Sequence, residues 1–206
     1  RAFDVLADNF ADISRYEDPS RATEIRLADG TISMGEPVTI TVGQWDTASG
    51  QFVDDNTQNV TFRPLVFQSD SGDVIYESGV VFREGRSGSI ARSPLPFVVG
   101  SETAVVPVAA TSSRSSTTGV GGDQTVQVVG ERRPTTRPLA NRTVDADGET
   151  LAVRVDSPRA DGWARQFRQE EYPILNESDS TVTAELSVSN DGRVRLAVTN
   201  INIRFD

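Results

Sequence analysis

The chain has 206 residues, and its 30 Asp and Glu residues outnumber 20 cationic residues, which gives a net charge of -10. It contains no Cys and no His, and all of its cations are Arg. These absences exclude disulfides, thiolate nucleophiles, sulfur-based zinc sites, Ser-His-Asp triads and imidazole metal sites. The acidic balance, without a basic run, argues against nucleic acid as a partner.

The use of Arg without any Lys, together with the acidic excess, indicates a salt-rich environment. Arg is more weakly hydrated than Lys and pairs bidentately with carboxylates, while surplus carboxylates keep a surface hydrated. In molar salt the Debye length falls to about 3 Å, so self-repulsion costs little. A GC-rich genome would also convert Lys codons to Arg, but it would not by itself produce the acidity. We therefore expect a halophilic source.

The first predicted element is an amphipathic helix over residues 1–16. Phe3, Leu6, Phe10 and Ile13 recur at spacings of three and four, with carboxylates on the opposite side. This stripe predicts a helix that docks on a β-sheet. No N-cap residue precedes the periodic pattern, which is typical of the C-terminal half of a longer helix.

After Pro19 the apolar pattern changes to a period of two, which predicts strands. About ten short strands indicate an α+β, mainly β fold, either an antiparallel sheet or a β-sandwich. The predicted strand segments are residues 23–27, 31–34, 37–42, 59–68, 73–77, 80–83, 97–99, 104–109, 125–129, 150–155, 181–189 and 193–205.

Two turn sequences predict β-hairpins. Asp29-Gly30 separates the strands at residues 23–27 and 31–34, and an Asp-Gly pair is a strong hairpin signal. Asn190-Asp191-Gly192 separates the last two predicted strands in the same way. We expect each pair of flanking strands to be hydrogen-bonded neighbours.

One short helix interrupts the strands at residues 158–170. Ser157 is the predicted N-cap, Pro158 suits the first helical position, and Trp163 and Phe167 lie on one face. Residues 111–123, rich in Ser, Thr and Gly, predict a long flexible loop. No second core is evident, so residues 1–206 are interpreted as a single domain.

Three Asn-X-Ser/Thr sequons begin at Asn59, Asn141 and Asn176, and each is a possible glycosylation site. Asn141 and Asn176 fall in predicted loops, while Asn59 lies at the start of a predicted strand. One or two sequons are expected by chance in a chain this rich in Asn, Ser and Thr, so their number alone carries little weight.

Acidic clusters at residues 54–55, 70–73 and 145–149 superficially resemble calcium loops, but they lack the required ligand spacing, so solvated turns are the better interpretation. Glu170 and Glu171, beside Tyr172, are the best candidates for a glycosidase acid and base, although adjacent carboxylates do not face each other across a substrate. Trp45 fits a core role better than an exposed contact role. We expect no catalytic residues, metal, cofactor or small-molecule substrate.

Several strings in the chain resemble those of a haloarchaeal family of secreted, type IV pilin-like surface proteins. They are RATEIRLADG at residues 21–30, VIYESGVVFREG at 74–85, LAVRVDSPRADGWARQF at 151–167 and the ending VTNINIRFD. The order of elements, a helix that feeds antiparallel strands with a long variable loop, is also similar. The resemblance implies the soluble head of an extracellular protein that is membrane-anchored or filament-associated. It carries over no catalytic residues.

We therefore expect a structural or interaction protein of the cell surface, a minor pilin or pilus-associated subunit of a halophilic archaeon. Its expected partners are other pilin-like subunits or cell-surface proteins, with the membrane reached through an upstream anchor helix. The alternative is a secreted β-sandwich module that binds carbohydrate or surface-layer partners through residues 111–123 and Trp45.

Overall fold

The computed structural model describes residues 2–114, 118–133, 141–143, 149–189 and 192–206. Within these ranges it describes every side chain except those of residues 54–56 and 141–143. Within these residues the protein is mainly β, as the sequence predicts, with two helices and seventeen strands. The elements are α1 (Ala2–Tyr16), β1 (Ser20–Arg26), β2 (Thr31–Met34), β3 (Val38–Asp46), β4 (Gln51–Phe62), β5 (Leu65–Gln68), β6 (Asp73–Glu77), β7 (Val80–Gly85), β8 (Gly88–Ala91), β9 (Val98–Val99), β10 (Thr103–Ser112), β11 (Gly119–Gly121), β12 (Thr125–Arg133), β13 (Asn141–Thr143), β14 (Glu149–Asp156), α2 (Ala160–Gln169), β15 (Ile174–Glu177), β16 (Thr181–Glu185) and β17 (Arg193–Phe205).

Sheet 1 has the strand order β1-β12-β17-β10-β9, and β13 also pairs with β17. β10 and β17 run parallel, while the other pairs of this sheet are antiparallel. The alternation of β17 explains its central place, because Val194 and Leu196 enter one hydrophobic cluster while Ile201 and Ile203 enter another. A strand that is apolar on both faces needs cover on both faces.

Sheets 2 and 3 are antiparallel throughout the described residues. Sheet 2 has the order β11-β2-β5-β6-β7-β8, and sheet 3 has the order β15-β16-β14-β3-β4. The β-branched alternation of β3 places Val38, Ile40 and Val42 on the inner, buried face of sheet 3. The threonines between them then point to the opposite, outer face.

Two hydrophobic clusters hold the sheets together. Core 1 joins the inner face of sheet 3 to α2 and to one face of sheets 1 and 2, and core 2 joins α1 to the other faces. β6 and β7 contribute to both clusters, with Ile75 and Phe82 in core 1 and Tyr76 and Val81 in core 2. The two helices therefore pack on opposite sides of sheet 2.

Both predicted hairpins are wrong. The turn at Asp29-Gly30 forms, and Gly30 N donates to Leu27 O at 2.8 Å, but β1 pairs with β12 while β2 pairs with β5 and β11. Likewise β16 pairs with β14 and β15, and β17 belongs to sheet 1. At Asp29-Gly30 the turn sets only a local reversal of the chain, and Asn190 and Asp191 of the second predicted turn lie outside the described residues. Burial selects the partners of these strands: β1 and β2 each bury one face, and β17 buries both.

The predicted loop at residues 111–123 is shorter than expected, since β10 extends to Ser112 and β11 pairs with β2. Its residues 115–117 lie outside the described residues. The second helix begins at Ala160, two residues later than predicted. Ser157 is not its N-cap: the Ser157 hydroxyl accepts a hydrogen bond from Arg159 N at 3.0 Å, in the turn that precedes the helix.

Candidate functional site

The structure places the four predicted docking residues of α1 together in core 2. Leu6, Phe10 and Ile13 are 0% exposed, and Phe3 is 5% exposed. The Phe10 ring meets the Tyr76 ring edge to face, with the ring centroids 5.1 Å apart. This geometry is favourable because the positive edge of one ring faces the negative face of the other. The helix is therefore an integral part of the core.

Tyr76 is the polar member of this contact, and it is fully buried on β6. Burial raises the pKa of the Tyr76 hydroxyl well above its ordinary value, and a hydrogen bond with the backbone of Gly79 lowers it by less. The ring thus stays neutral at physiological pH, which suits its place against an apolar helix.

The close approach of α1 to sheet 1 depends on a glycine. A Cβ atom at Gly130 would lie 2.6 Å from the Phe10 ring, a distance that real Cβ contacts do not reach. Beside this contact, Asn9 Nδ2 donates to Thr23 Oγ1 at 2.9 Å and to Ala22 O at 3.3 Å. Since Ala22 lies on β1, an edge strand of sheet 1, α1 also bonds to that edge.

A buried ion pair lies on the other side of sheet 2, where α2 begins. Glu77 is 0% exposed, and its two carboxylate oxygens accept hydrogen bonds from Arg159 Nε at 2.5 Å and from Trp163 Nε1 at 2.7 Å. Arg159 also lies 3.5 Å from Glu84. Sequence analysis missed this cluster. Its signal was the carboxylate of Glu77 on the same strand face as Ile75, a position that predicts burial and requires a partner.

α2 lies along the edge strand β8. Asp161 Oδ2 accepts a hydrogen bond from Ser89 N at 3.0 Å, and Arg165 donates to Ser89 O at 2.8 Å. The two side chains are also paired with each other at 3.0 Å, one helical turn apart. α2 thus satisfies backbone groups that a strand edge would otherwise leave open.

A shallow groove of about 340 Å³ lies between the C-terminal half of α2 and the segment after β8, and its lining includes Arg92, Gln166 and Glu170. Glu170 Oε1 accepts hydrogen bonds from Leu95 N at 2.8 Å and from Gln166 Nε2 at 2.6 Å, which ties the helix to that segment. The neighbouring Glu171 is exposed, with a positive φ of 62°. Glu170 is therefore engaged in holding the fold.

The structure spreads the sequons over two sheets. Asn59 is exposed on β4 and Asn176 is exposed on β15, both in sheet 3. Asn141 lies on β13 in sheet 1, and its side chain is outside the described residues. Asn141 and Asn176 therefore both begin their sequons on strands, where the sequence predicts loops.

Trp45 is 4% exposed at the end of β3, where its ring meets Phe52 edge to face at a centroid distance of 5.1 Å. The Arg154 guanidinium lies over the Phe52 ring, with its central carbon 5.3 Å from the ring centroid. Trp45 thus has the buried role that the sequence favours.

Of the acidic clusters, residues 145–148 lie outside the described residues, and so do the side chains of residues 54–55. Within the described residues no three acidic side chains are grouped to hold a metal ion.

Neither helix of the described chain is long and apolar enough to cross a membrane. No curated protein and no solved structure matches the chain. The model of a family of unknown function, DUF7289, matches residues 1–204, nearly the whole length. Because this match covers nearly the whole chain, the protein belongs to the DUF7289 family.

Proposed function

We propose that this protein is a structural or interaction protein of the cell surface, a pilin-like minor pilin or pilus-associated subunit of a halophilic archaeon. Its partners are other pilin-like subunits or cell-surface proteins, and it reaches the membrane through an anchor helix that continues α1. In this role the chain is an extracellular head, and it is not an enzyme.

The observation that carries this proposal is the geometry of α1. Phe3, Leu6, Phe10 and Ile13 are buried in core 2, while Asp4 and Asp8 on the other side of the helix are exposed. A helix fixed in this way moves with the head as one body. Anything joined to the helix would hold the head at a set orientation, which a filament or surface assembly requires.

The experiment that tests this function is fractionation of the native cells, with an antibody against the head. Mechanical shearing separates surface filaments from cell bodies, and lysis then separates membranes from the soluble interior. We expect the protein in the sheared and membrane fractions. Its recovery in the soluble interior fraction would contradict the proposal.

The halophilic part of the proposal makes its own prediction. The surplus carboxylates behind the net charge of -10 repel one another most strongly at low ionic strength, and molar salt screens this repulsion. The melting temperature of the purified protein should therefore rise steadily from 0.05 M to about 3 M KCl, the reverse of what loss of its surface ion pairs alone would cause. A melting temperature that falls over this range would contradict adaptation to salt.

A further inference from the structure

Among the described residues seven strands have a single partner in their sheet, and these edges are not protected equally. One of them is β13 of sheet 1, which has three residues and pairs with β17. An open edge offers unpaired backbone groups to other chains, so proteins shorten, bulge, charge or cover their edges. In sheet 1, β9 has two residues and Asn9 of α1 bonds to Ala22 of β1. In sheet 2, β11 has three residues, and Asp161 and Arg165 of α2 bond to Ser89 of β8. Each helix thus bonds to one backbone residue on the longer edge of its sheet, Ala22 in sheet 1 and Ser89 in sheet 2.

Sheet 3 ends in β4 on one side and β15 on the other. β15 is short, with four residues and an irregular register between Ile174 and Asn176. β4 is the longest of these edge strands, with twelve residues, and within the part of the chain that the structure describes it pairs with β3 alone. Just beyond its end, Arg63 N donates to Thr111 O at 2.9 Å, so the open stretch is the one before Arg63.

Both open edges carry an exposed sequon, and the two asparagines lie in one cross-strand row. Asn176 is opposite Thr183, Thr183 is opposite Arg154, Arg154 is opposite Thr41, and Thr41 is opposite Asn59. Residues directly opposite each other point to the same face, here the outer face of sheet 3. Four strand spacings of about 4.8 Å place the two asparagines roughly 19 Å apart.

The two asparagines are also free to react. Both are exposed, and neither side chain has a hydrogen-bond partner among the described residues. The third residues of the sequons, Thr61 and Ser178, are exposed as well. These four side chains therefore present two complete acceptor motifs at opposite margins of the same surface.

We propose that Asn59 and Asn176 are N-glycosylated and that the glycan on Asn59 is the cover of the β4 edge. The amide Nδ2 attacks the anomeric carbon of a phosphate-activated oligosaccharide. A C–N bond forms, and the bond from that carbon to the phosphate oxygen breaks. The amide proton passes to a base of the cellular glycosyltransferase that catalyses the transfer. A bulky, hydrated glycan on an edge strand blocks the approach of a second strand.

Mass spectrometry of protein purified from its native cells tests the modification. Trypsin cuts after Arg, so Asn176 falls in the peptide of residues 169–193, and Asn59 falls within residues 27–83. Both peptides should carry a glycan mass, and Asn59→Gln or Asn176→Gln should remove it from one peptide only. The unmodified mass for the residues 27–83 peptide would overturn the proposal.

The oligomeric state of the same variants, made in the native cells, tests the role of the glycan. Asn59→Gln and Thr61→Val both destroy the β4 sequon and should convert monomers to higher assemblies in light scattering. The first control, Asn176→Gln, loses the same kind of glycan from the short, irregular strand β15 and should stay monomeric. The second control, Thr61→Ser, keeps the sequon on β4 and should also stay monomeric. Monomeric Asn59→Gln and Thr61→Val proteins that lack the glycan would overturn the role in edge protection.

Discussion

Replacing Phe10 with Asp should release α1 from core 2 and lower the melting temperature by roughly 10–15 °C. Phe10 is fully buried against Tyr76 and Gly130, so truncation alone removes about 3–5 kcal/mol, and an unpaired buried carboxylate adds to the loss. In a protein of this size each kcal/mol shifts the melting temperature by about 2–4 °C. Thermal unfolding followed by circular dichroism measures the change.

The matched control for this substitution is Val5→Asp, on the same helix. Val5 is 52% exposed, so its replacement should change the stability little. Equal damage from both substitutions would indicate a general intolerance of added negative charge. An unchanged melting temperature for Phe10→Asp would contradict the docking of α1.

Replacing Glu77 with Ala should destabilise the protein by about 3–5 kcal/mol, because it removes the closer carboxylate from the buried Arg159 and leaves only the weaker contact with Glu84 at 3.5 Å. The Trp163 ring nitrogen loses its acceptor in the same step. The measurement is denaturant unfolding monitored by Trp fluorescence, to which Trp163 and Trp45 contribute. A free energy of unfolding within about 1 kcal/mol of the parent would contradict the importance of this cluster.

Two further variants separate the cost of an orphaned charge from the value of the pair. The double variant Glu77→Met/Arg159→Met removes both charges and fills the space with apolar side chains, so it should recover much of the stability lost by Glu77→Ala. The exposed pair between Arg26 and Asp123 is the comparison, and Arg26→Ala should leave the unfolding curve nearly unchanged. A double variant as unstable as Glu77→Ala would show that packing, and not charge, dominates at this position.

Elements with a local signal could be predicted from the sequence. The spacing of Phe3, Leu6, Phe10 and Ile13 predicts α1 and its buried face, because helical periodicity needs only neighbouring residues. The second helix is placed to within two residues at its start and one at its end. Most strand segments follow from alternation in the same way, which is why a mainly β fold could be predicted.

Pairings between distant segments could not be predicted in this way. β10 and β17 run parallel although about eighty residues lie between them, and no local pattern encodes that choice. The same holds for Glu77 and Arg159, which are 82 residues apart in the chain. The alternation with Ile75 indicates that Glu77 is buried, but no local pattern identifies Arg159 as its partner.

The proposed role requires that α1 be a rigid part of the head, and native-state hydrogen exchange tests this most directly. Amides of residues 6–13 should exchange only through global unfolding, as slowly as those in the centre of β17, because Leu6, Phe10 and Ile13 fix this part of the helix in core 2. Exchange of these amides at the rate of a frayed chain end, while β17 stays protected, would show that α1 detaches on its own and would contradict the role.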